Sequence, residues 1–177
     1  EPFGGRAELR YNANNGGYTG MGRLDGNFAD KAFSWHIDIL TRDFNDYGIP
    51  GFAFSKALID EELAEGESLD EFAKGTQPNS GLTTDSAAVG LTWFGAKSWL
   101  GASFSIYDTN YGIPPGAHAH AEGEPEAEPE QPEYVRIDLS QTRFDVQGGM
   151  RDVGAFQDIN LRMANTQYQH QELEGSE

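Results

Sequence analysis

Ala87-Ala-Val-Gly-Leu-Thr-Trp-Phe-Gly-Ala-Lys-Ser-Trp-Leu-Gly-Ala-Ser-Phe-Ser-Ile-Tyr107 alternates in hydropathy on both sides of one short break. Side chains of an extended chain point to opposite faces in turn, so Ala87, Val89, Leu91 and Trp93 share one side and Ala88, Gly90 and Thr92 the other. After Gly95-Ala-Lys-Ser98 the alternation resumes, with Leu100, Ala102, Phe104 and Ile106 opposite Gly101, Ser103, Ser105 and Tyr107. Two strands joined by so short a turn form a β-hairpin with one apolar face and one small or polar face. Such a sheet separates two media, and both a soluble sandwich and a membrane barrel meet that description.

Moving upstream, Arg6 to Tyr11 sets Ala7, Leu9 and Tyr11 against Arg6, Glu8 and Arg10. Asn14-Asn-Gly-Gly17 follows as a turn, since Asn and Gly accept the positive φ of tight hairpins. The next strand opposes Tyr18, Gly20, Gly22, Leu24, Gly26 and Phe28 to Thr19, Met21, Arg23, Asp25 and Asn27. Past the short turn Ala29-Asp-Lys-Ala32, a third strand sets Phe33, Trp35, Ile37 and Ile39 against Ser34, His36, Asp38 and Arg42. His36 has no nucleophile or second ligand beside it in sequence, so it reads as an ordinary histidine of a polar face.

Residues 45–85 break the pattern with a long acidic connection, in which Ser68-Leu-Asp-Glu71 matches the capping box of a short helix. Downstream of the hairpin, a second long connection runs from Asp108 to Tyr134 and turns Glu- and Pro-rich from Ala121 to Glu133, a composition that predicts mobility. Val135, Ile137 and Leu139 then share one parity, whereas Thr142, Phe144 and Val146 carry the apolar face on the other. The switch predicts a β-bulge at Ser140-Gln141. Ile159, Leu161 and Met163 begin a last strand. The expected elements are seven antiparallel meander strands near 6–12, 18–28, 33–44, 86–94, 99–108, 135–148 and 157–168.

The 177 residues carry a net charge of -17, only 37% are hydrophobic, and cysteine is absent. Mean hydropathy is -0.60. So acidic a chain argues against a nucleic-acid partner, which calls for a basic patch. A cysteine-free chain has neither disulfides nor thiolate metal sites. No apolar run reaches the ~18 residues of a transmembrane helix. The modest apolar content fits a wall that needs only one narrow outward apolar band. The chain opens on Glu1 without a targeting segment and closes in polar residues, which suggests a fragment of a longer protein.

Three regularities favour a barrel over a sandwich. Long connections gather at one end of the sheet and short turns at the other, as in outer-membrane barrels. Phe28, Phe33, Trp93, Phe94, Trp99 and Phe156 crowd the short turns, as an interfacial aromatic girdle would. Tyr47-Gly-Ile-Pro-Gly51 and Tyr111-Gly-Ile-Pro-Pro-Gly116 echo one another where the long connections begin, with proline expected to end each ladder for want of a donor.

On Arg6-Ala-Glu-Leu-Arg-Tyr11 with its Asn-Gly turn, Asp43-Phe-Asn-Asp-Tyr-Gly-Ile-Pro-Gly51, Tyr107 to Gly116, and Val135-Arg-Ile-Asp-Leu-Ser-Gln-Thr-Arg-Phe-Asp145, the chain resembles the barrel of TonB-dependent outer-membrane receptors, more narrowly their zinc-linked branch. The likeness spans nearly the whole chain, residues 1–177, as a partial barrel domain. It implies a 22-stranded transmembrane barrel in the cell outer membrane of a Gram-negative bacterium, in contact with outer-membrane lipid. It also implies an N-terminal plug, outside this stretch, that engages the TonB complex. The implied function is uptake of a scarce metal ion or metal chelate, with zinc as cargo rather than resident cofactor. Zinc-linked relatives carry a histidine-rich loop after the second Gly-Ile-Pro element. Here that loop keeps only His118 and His120 before a run of glutamates.

His118 and His120, with Glu122 and Glu124 as auxiliaries, are therefore the candidate metal ligands. His-Ala-His in an extended segment puts both imidazoles on one side, and neighbouring carboxylates complete a sphere suited to zinc or a similar ion. The competing reading is an acidic loop that binds divalent ions weakly and without selection. A different class, a non-transporting adhesin or carbohydrate-binding β-sandwich, would bury the apolar face under a second sheet. Catalysis is not expected, since the chain has no Ser/His/Asp constellation, Gly-rich phosphate loop or His-Glu-x-x-His motif. On the barrel reading Leu9, Leu24, Trp35, Ile37, Val89, Leu91, Phe104, Ile106, Phe144 and Leu161 face lipid, and Arg10, Arg23, His36, Asp38, Ser103 and Arg162 the lumen.

Overall fold

The computed structural model describes residues 3–66, 68–114 and 134–175. Its main element is an antiparallel seven-stranded meander formed by β1 (Phe3–Asn12), β2 (Gly17–Phe28), β3 (Phe33–Phe44), β6 (Leu82–Phe94), β7 (Ser98–Ile113), β8 (Tyr134–Val153) and β9 (Phe156–Gly175), each pairing with the next. A separate two-stranded sheet of β4 (Gly48–Phe52) and β5 (Lys74–Thr76) lies within the first long connection. In the meander, β1 and β9 each have a strand neighbour on one side only. The fold is all-β with an antiparallel meander, as the alternation indicates.

Register sorts the side chains into two faces. Leu9, Leu24, Trp35, Ile37, Val89, Leu91, Phe104, Ile106, Phe144 and Leu161 fall on one, and Arg10, Arg23, His36, Asp38, Ser103 and Arg162 on the other. The apolar face is bare: Leu9 is 89% exposed, Leu161 62% and Phe104 46%. Among the described residues the buried apolar side chains are Ile59, Val135 and Ile137, none of them in that band. Among the described residues, substantial contacts between elements run only between neighbouring strands. The band is edged by aromatic pairs, with Phe28 stacked on Phe33 at 4.9 Å near one short turn and Tyr11 beside Tyr18 at 5.0 Å at the other end.

The expected bulge at Ser140-Gln141 is absent. The ladder of β8 with β7 runs without a slip from Ser98↔Met150 to Ile113↔Val135. What changes there is the polarity of the two faces. Thr41, Asp85, Asp108 and Ser140 form one cross-strand row on the face that carries Phe104 lower down, and Asp43, Thr83, Asn110 and Asp138 form the next. On the opposite face at that level stand Phe44, Leu82, Tyr111 and Ile137, with Val135 beyond. Val135 is 5% exposed and Ile137 8%. The apolar side chains thus change faces along a continuous strand, which in sequence imitates a bulge.

The strands also run further toward this end than hydropathy alternation suggests, since backbone ladders persist where both faces are mixed. β7 reaches Ile113 and stops before Pro114, as expected of a residue without a backbone donor. In the first echo the proline acts differently. β3 ends at Phe44, and Pro50 sits inside β4, in the irregular stretch between the Gly48↔Thr76 and Phe52↔Lys74 pairs.

Asp85 and Asp108 are direct cross-strand partners. Like charges so placed repel, so Asp85→Asn is expected to raise stability by about 0.2–1 kcal/mol at neutral pH and low salt. Urea titration at two ionic strengths checks it, because the gain should shrink as salt screens the repulsion.

The first long connection is more ordered than its acidity implied. Helix α1 (Lys56–Glu65) begins at Ser55, whose hydroxyl accepts from the Leu58 N–H at 3.3 Å, and ends at Gly66 with φ 111. Asp60 hydrogen-bonds Lys56 and raises its ammonium above the usual lysine range. The Ser68 capping box proves to cap only a short 3-10 turn (Leu69–Glu71), accepting from Asp70 N at 3.4 Å.

Candidate functional site

The polar face presents charges in ordered rows. Arg6, Arg23, Asp38, Ala88, Ser105 and Arg143 lie in one cross-strand row, and Gly4, Asp25, His36, Gly90, Ser103 and Asp145 in the next. Because residues two apart on a strand share a face, opposite charges pair along the chain. Arg143 bonds Asp145 twice at 2.7 Å, Arg23 meets Asp25 at 3.3 Å, and Glu8 is gripped by both Arg6 and Arg10. Exposed pairs of this kind add little to stability, because solvent screens them. Their effect is chemical: a surface dense in donors and acceptors.

Within these rows, His36 Nδ1 lies 2.6 Å from Asp38 Oδ2. In a neutral imidazole Nδ1–H donates to that carboxylate and Nε2 is left as an acceptor. Nε2 lies over Gly90, where any Cβ would overlap the ring. The adjoining cavity of about 60 Å³ is bordered by Thr92, Ser103, Asp145 and Gln147. It has room for a few waters.

At the loop end a second cluster forms. The Asp46 carboxylate accepts from the N–H groups of Asn79 at 3.1 Å and of Ser80 and Gly81 at 2.7 Å each. Arg136 Nε donates to Asn110 Oδ1 at 2.8 Å, beside an open groove of about 410 Å³ that Phe44, Asp46 and Thr83 also border. Sequence reading missed this cluster because its members are scattered and polar. The Asp46-Tyr-Gly and Pro78-Asn-Ser-Gly81 turn chemistry was the only local signal.

The sequence-predicted ligands His118, His120, Glu122 and Glu124 lie outside the described residues. Their connection springs from the paired residues Ile113 and Val135, so both its ends start at adjacent strands. Among the described residues no group of three or more His, Asp or Glu side chains is placed to hold a metal ion. No family model matches the chain, and no curated protein matches it significantly.

Proposed function

We propose that this chain is part of the wall of a transmembrane β-barrel, and that the barrel is a TonB-dependent outer-membrane receptor taking up a scarce metal ion or metal chelate, zinc first among the candidates. The reversal of polarity along continuous strands carries the membrane reading. Below the row of Asp85 and Asp108 the outward face is apolar and bare while the other is charged. Above it the outward face is polar and the other holds the small core around Val135 and Ile137. A strand leaving lipid for water needs that change. A strand in a soluble sandwich keeps one face buried throughout.

On β2 the outward face from Gly20, which joins the boundary row through Thr41, to Phe28 covers about 27 Å at ~3.4 Å per residue and about 19 Å at a tilt of ~45°, shorter than the apolar band of ~25 Å in outer-membrane barrels by about the one row that Tyr11 and Tyr18 add. The charged face then lines a wet lumen, and the two long connections lie outside the cell, where cargo arrives. The receptor assignment rests on the motif resemblance and goes further than the membrane reading. TonB contacts would come from parts of the receptor other than these strands.

Two experiments separate the layers of this reading. Fractionation of cells producing the full-length protein should find it in the outer membrane and soluble only with detergent. Recovery as a monomer in plain buffer would favour the adhesin or carbohydrate-binding sandwich instead. Radiolabelled zinc uptake should depend on both the protein and TonB. Uptake indifferent to TonB would leave a barrel but remove the receptor.

A further inference from the structure

We propose that Asn79 and Asp46 couple the two long connections, so that the first holds the neck of the second and a disturbance in either reaches the other. The coupling lies wholly in described residues and holds whether or not the strands cross a membrane. Asn79 is 9% exposed, and both polar atoms of its side chain are engaged. Nδ2 donates to the carbonyls of Ile113 and Val135 at 2.8 Å each, and Oδ1 accepts from Arg136 Nη1 at 3.3 Å. Ile113 and Val135 are register partners, the final pair before the β7–β8 connection. One side chain of the first connection therefore clasps both stems of the second.

Asn79 can do this only in an unusual backbone state. Its φ is 52°, a left-handed conformation that asparagine tolerates better than most residues yet still adopts at a cost. Asp46 holds it there by accepting from three successive N–H groups, 79 to 81. Gly81 O in turn accepts from Gly112 N at 3.2 Å, and a Cβ on Gly112 would overlap Asn79. The chain of cause runs from Asp46 to the Asn79 backbone, to its side chain, to the stems of β7 and β8. Every link is a buried or part-buried hydrogen bond or a close contact, so the cluster should open as one unit. Coupling between two parts of a structure is reciprocal, which makes the proposal testable from both ends.

Amide hydrogen exchange by mass spectrometry on the full chain tests it, with residues 20–27 and 34–41 as internal controls. Asp46→Ala should speed exchange at 79–81, where bonds are lost directly, and also at 110–113 and 134–138, by about tenfold or more at each. Asn79→Gly keeps the left-handed backbone and removes only the clasp, so it should deprotect the same neck. Gly112→Ala, made on β7, should deprotect 79–81 from the other side. If Asp46→Ala acts only on 77–81 while Gly112→Ala leaves 79–81 unchanged, the two connections are independent and the proposal falls. Should Asp46→Ala loosen the control strands as well, the Asn79→Gly and Gly112→Ala pair decides by the same criterion.

Discussion

Arginine in place of Phe104 is expected, on the proposed barrel reading, to cost about 2 to 4 kcal/mol in the full-length protein folded into lipid, the penalty for a cation near the midplane of a barrel wall. Phe104 lies midway along the outward face of β7, between its register partners Val89 and Phe144. The side chains beside it on that face are uncharged, the nearest carboxylates there being Asp85 and Asp108, four residues along from the Val89↔Phe104 pair, and no element covers it among the described residues. The same substitution should grow cheaper in steps toward the loop end. At Ile106 it should remain costly, and at Asp108, two residues on, it should fall to about 0–1 kcal/mol because the proposed reading puts that row on the aqueous side. Ser105 supplies the control, since it points to the charged face between Ala88 and Arg143 and should accept polar exchange with little change. Urea titration of refolding into lipid vesicles yields the profile. A flat profile from Phe104 to Asp108, or equal costs at Phe104 and Ser105, would show that the two faces are wrongly assigned to lipid and water.

The same profile shows how much the sequence discloses and why it stops. Period-two alternation in 87–107 was enough to set the hairpin, its faces and, by extension, the whole meander, because strand parity is a rigid geometric consequence of the extended chain. Its ends were not legible. Hydropathy marks a strand only while one face is greasy, and Asp85, Asp108, Ser140 and Gln169 continue the ladder past that point. The Ser140-Gln141 switch was visible but was misread, since a bulge and a change of surroundings leave the same trace in one strand. Only the neighbours' register, with Asp108 beside Ser140 and Tyr111 beside Ile137, tells them apart.

The first connection failed for a different reason. Helix α1 carries no apolar stripe and buries only Ile59, so periodicity had nothing to find, although Ser55 and Gly66 bracket it as start and stop signals should. Ser68 competed as a second start signal and drew the expectation downstream. The Asp46 and Asn79 cluster depends on contacts 33 or more positions apart, such as Asp46 with Asn79 and Asn79 with Val135. No local pattern encodes such a partnership. The charged rows of the polar face were readable strand by strand, but the alignment of His36 with Ser103 and Asp145 had to wait for register.

Zinc affinity is expected to fall about 100-fold between pH 7.5 and pH 5.5 if His118 and His120 capture the ion together. With an ordinary imidazole pKa near 6.5, each ring is about nine-tenths neutral at the higher pH and about one-tenth at the lower, and two ligands multiply the loss. Glutamates titrate near 4.3, so an acidic loop binding through Glu122, Glu124 and their neighbours would lose little over the same interval and would weaken mainly below pH 5. A His118→Ala, His120→Ala double variant separates these cases at constant charge on the carboxylates. In the full-length protein it should bind zinc about tenfold more weakly or worse at pH 7.5, since a borderline ion prefers neutral nitrogen donors over carboxylates alone. It should also lose the pH dependence between 7.5 and 5.5. Competition titration with a chromophoric chelator reads both. If the variant matches the parent at both pH values, the two histidines are ordinary loop residues, and any zinc uptake by the protein must recognise its cargo elsewhere.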